Sequence, residues 1–95
     1  MNTDLIIIKE YCIQSRIESD FIVQLINEGL IEVTVVDDED YIHSSQLKAL
    51  EQYARWYYDL SINVEGIDVI RHLLDRMNEM KDEITSLREK LQLLD

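Results

Sequence analysis

Ser19-Asp20-Phe21-Ile22-Val23-Gln24-Leu25-Ile26-Asn27-Glu28-Gly29 runs through Leu30-Ile31-Glu32-Val33-Thr34-Val35-Val36 into Asp37-Asp38-Glu39-Asp40 and Tyr41-Ile42-His43, and this stretch decides the fold. Phe21, Ile22, Leu25 and Ile26 recur at helical spacing. Ser19 reads as an N-cap and Gly29 as a left-handed C-cap, which predicts a helix over Asp20–Glu28. The β-branched run Leu30–Val36 then predicts a strand. It pairs back through Tyr41–His43, with Asp37–Asp40 as a four-residue acidic loop.

Outward from that stretch, the remaining elements follow. Leu5–Ile8 reads as a short strand or extended lead-in, and Lys9–Gln14 as a short helix with Tyr11 and Cys12 facing inward. Ser44 or Ser45 is expected to cap a third helix over Gln46–Leu60, with Leu47, Leu50, Tyr53, Ala54 and Tyr57 or Tyr58 at helical intervals. A break at Ser61-Ile62 leads to Asn63, a second N-cap candidate, and a last helix from near Val64 to Leu94. Proline is absent and only Gly29 and Gly66 punctuate the chain, so helices run uninterrupted and no flexible linker separates domains. The expected organisation is a winged helix-turn-helix module over 1–62, continuous with a dimerisation helix over 63–95.

The last helix carries the cleanest period. With Ile70 at heptad position a, the a series is Ile70, Met77, Ile84 and Leu91, and the d series is Leu73, Met80, Leu87 and Leu94. Polar residues fill most other positions, so the apolar stripe is a narrow coiled-coil seam. A helix of this length is marginal alone in water, and a second copy of the chain is its expected partner.

Charge sets the function classes. The first 46 residues hold Lys9 and Arg16 against ten carboxylates, and the whole chain of 95 residues has a formal net charge of −11. A module of this shape normally docks on DNA, which requires cations to neutralise phosphates. Here the sign is wrong, and a basic protein is the expected partner. The single cysteine, Cys12, allows no intrachain disulfide and no thiolate metal cluster. Its place beside Tyr11 predicts core packing rather than nucleophilic chemistry. The apolar patch Leu5–Ile8 is too short for a signal peptide or a membrane span, so a soluble cytoplasmic protein is expected.

Together these elements resemble the CbpM-type chaperone modulators, a branch of the MerR-like winged helix-turn-helix group. The resemblance covers most of Ile8–Leu74: Lys9-Glu10-Tyr11-Cys12, then Phe21 to Ile31, an acidic wing, and Ser61-Ile62-Asn63-Val64-Glu65-Gly66-Ile67-Asp68-Val69-Ile70. The last block is similar to the family's Gly-Ile-Asn-x-Glu-Gly stretch, with Ser61 in place of the usual glycine. The implied fold is mainly α, a MerR-like winged helix-turn-helix with a small β-hairpin wing and a long C-terminal coiled-coil helix. The implied function is binding the J-domain of a DnaJ-like co-chaperone and blocking its action on the DnaK-type chaperone. J-domains present a basic helical face, so an acidic competitor is physically reasonable.

DNA-reading members of that group place cations on the second helix and wing. Asp20–Glu28 contains none, and the wing tip carries four carboxylates. A DNA-binding transcription regulator is therefore the alternative reading, and a coiled-coil adaptor a third.

Asp37, Asp38, Glu39 and Asp40 are candidate partner contacts, weighed against a plain solvated turn or a cation loop. The alternating oxygen ligands and distal Glu of a calcium loop are missing. In Tyr53-Ala54-Arg55-Trp56-Tyr57-Tyr58-Asp59, the rings cannot all face one core, so at least one is expected at the surface. Trp, Tyr and Arg are enriched as interface anchors, which adds Arg55, Trp56, Tyr57 and Asp59 as candidates, Trp56 or Tyr57 foremost. The competing reading is that these rings cover the junction between module and long helix. His43 and His72 lack ligand-spaced partners, and no phosphate loop or catalytic ordering is present, so neither metal, cofactor nor catalysis is expected.

Overall fold

The computed structural model describes residues 4–94. Its elements are β1 (Leu5–Ile7), α1 (Ile8–Ser15), α2 (Ser19–Asn27), β2 (Thr34–Val36), β3 (Glu39–His43), α3 (Leu47–Ala54) and α4 (Val64–Leu94). The fold is mainly helical, with a small antiparallel sheet and a long C-terminal helix, consistent with a winged helix-turn-helix. The sheet has order β1-β3-β2, so the lead-in strand completes the wing by pairing Ile6 with Ile42.

α1 and α2 are joined by a tight turn. Arg16 takes a left-handed conformation at φ 55°, and the Ile17 amide donates to the Cys12 carbonyl at 3.0 Å. Ile17 is thereby buried, and α2 begins one residue earlier than its composition predicts. Its N-cap is Glu18, whose carbonyl accepts from Phe21 and whose own amide donates to the Tyr58 hydroxyl at 2.9 Å. Ser19 is not the cap. At the other end, the expected glycine stop holds. Gly29 sits at φ 73°, the Gly29 amide donates to the Ile26 carbonyl, and the Leu30 amide donates to the Leu25 carbonyl at 2.9 Å. This pair of bonds is a Schellman closure.

The strand expected from Leu30 starts only at Thr34. Leu30 and Ile31 turn into the core after the closure, and Glu32 has both backbone groups occupied by the Gln46 side chain. The loop is also shorter than expected. Asp37 and Asp38, at φ 50° and 62°, form a two-residue turn, while Glu39 and Asp40 belong to β3 and pair with Val36 and Val35. Two successive left-handed residues make this a type I′ hairpin, whose twist matches the flanking strands.

The third helix is not uniform. His43, rather than Ser44 or Ser45, caps the 3-10 turn that leads into it, its Nδ1 accepting from the Ser45 amide at 3.1 Å. A 3-10 turn over Ser44–Gln46 precedes α3, and a π-helical turn over Arg55–Asp59 follows it. Asn63 caps α4 as expected: its Oδ1 accepts from the Gly66 amide at 2.8 Å. A Cβ at Gly66 would lie 3.0 Å from that oxygen and 3.0 Å from the Ile62 side chain, so glycine lets the cap close.

The core collects Ile17, Phe21, Ile22, Leu25, Ile31, Ile42, Leu50, Tyr53, Val64 and Ile67 from the α1–α2 turn, α2, its following loop, β3, α3 and the start of α4. Cores of this size are modest for the surface they must offset. Only the first turns of α4 join it, and every residue from Asp75 to Leu94 is exposed. No described helix is long and apolar enough to cross a membrane.

Candidate protein-docking interface

The hairpin places the four acidic candidates unequally. Asp37, Asp38 and Asp40 are exposed and Glu39 is half-buried. Asp38, Glu39 and Asp40 form one edge of a groove of about 230 Å³ whose floor is Ile8, Ile22, Val23 and Ile26. Asp37 lies outside it. None of the four is in an ion pair among the described residues, so their charge faces solvent unneutralised.

α2 supplies most of that floor. Its apolar spacing turns Phe21, Ile22 and Leu25 inward and leaves Ser19, Asp20, Val23, Gln24 and Asn27 outside. The face that would enter a DNA groove thus presents no cation to phosphate. Val23 is 51% exposed at the groove. The sequence reading set Ile26 among the core-facing residues of α2 and gave Val23 no role. The available signal was an apolar residue one position beyond the core pair Phe21-Ile22, on an otherwise polar outer face.

The aromatic segment lies elsewhere. Widening of the π turn brings Tyr57 onto Phe21 in a stack of 4.4 Å between centroids, with Tyr58 edge-on to both. Trp56 tilts against Tyr53 at 6.2 Å. Trp56 and Tyr57 are half-buried and pack on the core, while Tyr58 is the ring that reaches solvent. Burial pushes the Tyr58 phenol above its ordinary range despite the bond from Glu18. Arg55 and Asp59 are exposed and border a second groove, of about 540 Å³, with Tyr11, Arg16 and Tyr58. The wing acids and the Arg55–Asp59 set share no groove.

Cys12 is half-buried and burial pushes its thiol up, which disfavours the reactive thiolate. His72 is tied to its own helix through the Asp68 carbonyl at 2.8 Å. No group of three or more His, Cys, Asp or Glu side chains among the described residues is arranged to hold a metal.

On α4 the heptad-spaced apolar stripe is bare. Leu73, Met77, Met80, Ile84, Leu87, Leu91 and Leu94 are each more than half exposed, and Ile70 is half-buried near the module.

The MerR HTH family regulatory protein model matches residues 6–89. The chain belongs to this family. Similarity extends to two proteins named chaperone modulatory protein CbpM, from Pseudomonas putida strains GB-1 and W619. Each is 22% identical over 95 residues, covering 96% of this chain and 94% of the relative. No solved structure matches. Within the MerR family, then, the CbpM-type resemblance of the individual motifs extends over the full winged module and the long helix. Neither the family nor these relatives are of an enzymatic kind.

Proposed function

We propose that this chain is a chaperone modulator that binds the J-domain of a DnaJ-like co-chaperone and inhibits its action on the DnaK-type chaperone. The observation that carries this reading is the cation-free outer face of α2 beside an unneutralised acidic wing, on a scaffold whose relatives are named chaperone modulatory proteins. The mechanism is competition. The acidic surface attracts the basic helical face with which the J-domain meets its chaperone, and apolar contacts then hold it. Exposed carboxylates make encounter fast at low salt and weaken it as screening rises. Arg55, Trp56, Tyr57 and Asp59, on the other groove, are available as a second contact.

Two copies pair through the α4 seam. This buries the bare stripe, which water otherwise contacts from Leu73 to Leu94.

Titration of a DnaJ-like J-domain, with DnaK ATP hydrolysis as readout, tests the function. Saturable binding that falls with salt and suppression of the J-stimulated rate are expected; salt-independent or absent binding overturns it. The second reading, a DNA-binding regulator, draws on the family description. It requires a sequence-specific complex in a gel shift at physiological salt.

A further inference from the structure

Two observations meet at one place on the surface: the most exposed apolar residue of α2, and the unpaired acids of the wing. The floor of the groove, Ile8, Ile22, Val23 and Ile26, comes from α1 and α2, and its rim, Asp38, Glu39 and Asp40, from the hairpin. Ile22 is buried, Ile8 and Ile26 are half-buried, and Val23 stands open. Among the described residues, Lys9 is the one cation along the lining. The β1–β3 pairing fixes the spacing between rim and floor, because β1 runs straight into α1 at Ile8 while β3 carries Glu39 and Asp40.

We infer that this groove between the wing and α2 is the seat for one amphipathic helix of the partner, with an apolar ridge against Val23 and Ile26 and flanking Lys or Arg against Asp38 and Asp40. The inference rests on the J-domain reading and deepens it by naming the docking surface. The dimensions suit one ridge of a helix: a cavity of about 230 Å³ accepts one or two aliphatic side chains, not a whole helix. A DNA backbone is excluded by charge, and an uncharged apolar segment would leave three carboxylates facing an apolar neighbour. A basic amphipathic helix satisfies floor and rim together. The wing thus keeps the position it has in a nucleic-acid reader but flanks a peptide helix in place of a phosphate track.

The test compares full-length variants for binding to an isolated DnaJ-like J-domain. Val23→Lys places a like charge against the basic partner at a half-exposed site, so the fold is retained. Affinity is expected to fall by about tenfold or more, as for a central interface residue. Ile13→Lys adds the same charge at a 78% exposed position on α1 outside the groove and is expected to bind within about twofold of the parent. Asp38→Asn with Asp40→Asn keeps volume and removes rim charge; slower association and a shallower salt dependence are expected. If the parent binds and Val23→Lys matches Ile13→Lys, or the Asn pair leaves association unchanged, the groove assignment is overturned and the J-domain reading stands. If the parent does not bind the J-domain, both fall.

Discussion

Gln46 holds Glu32 by both its backbone amide and its backbone carbonyl. The Gln46 Oε1 accepts from the Glu32 amide at 2.8 Å and its Nε2 donates to the Glu32 carbonyl at 2.9 Å, across fourteen residues of sequence. The side chain acts as an extra rung of backbone, and it fixes where the chain leaves α2 before entering the wing. Gln46→Ala leaves both groups to water and is expected to lower stability by about 1–2 kcal/mol. Gln46→Glu keeps an acceptor for the amide but sets a carboxylate oxygen against a carbonyl, and is expected to cost at least as much. Urea denaturation of the three proteins checks both.

Ser61 sits at φ 58°, in the left-handed region, directly after the π turn. The Ile62 amide donates to the Trp56 carbonyl at 3.0 Å across this residue, so the conformation is held by the closure of the widened turn. Serine pays a steric cost there that glycine does not. Ser61→Gly is expected to stabilise the protein by about 1 kcal/mol, a rise of several degrees in Tm, and Ser61→Val to destabilise it. A thermal melt of each variant gives the sign.

Burial pushes the Tyr53 phenol above its ordinary value, an effect the nearby Arg71 charge partly offsets. Unfolded, the group loses its proton near pH 10; folded, it does so higher. Between those values the unfolded chain has fewer bound protons, so stability is complete below about pH 10 and falls as pH climbs through the folded value. Tyr11 and Tyr58 act with the same sign. Tyr53→Phe is expected to flatten the alkaline decline, read as the loss of denaturation midpoint between about pH 9 and about pH 11.

Met80→Asp with Leu87→Asp places charge in the middle of the α4 seam, far from the core residues Val64 and Ile67. Sedimentation should show a dimer for the parent and a monomer for the variant. Helicity should drop in proportion to the freed segment, since an unpaired helix of about 20 residues is marginal in water. The near-UV signal of the buried Tyr53 and its neighbours should persist.

Much of the fold is legible in the sequence. The period of Phe21, Ile22 and Leu25 located α2, Gly29 located its end, Asn63 located the start of α4, and the heptads marked the exposed apolar stripe along it. What stayed hidden depends on distant partners. Nothing local says that Glu18 caps α2, because that is set by the Arg16 turn and by Tyr58 forty residues away. The run Leu30–Val36 has strand composition throughout, yet Ile31 is drawn into the core and Gln46 takes the Glu32 pairing groups. The π turn is a tertiary effect too: it brings the Tyr57 ring to Phe21. The candidate groove stayed hidden because its floor and rim come from three separate elements.

The Asp37-Asp38 hairpin tip has a consequence for evolution in the laboratory. Type I′ turns favour Asn-Gly, so Asp37→Asn with Asp38→Gly is expected to raise Tm while removing two of the wing's anionic groups. On the proposed wing docking, selection for thermal robustness alone would drift toward a sturdier wing with weaker grip on the J-domain, and selection for grip would drift back. A library randomised at these two positions and sorted separately for each property should yield divergent winners.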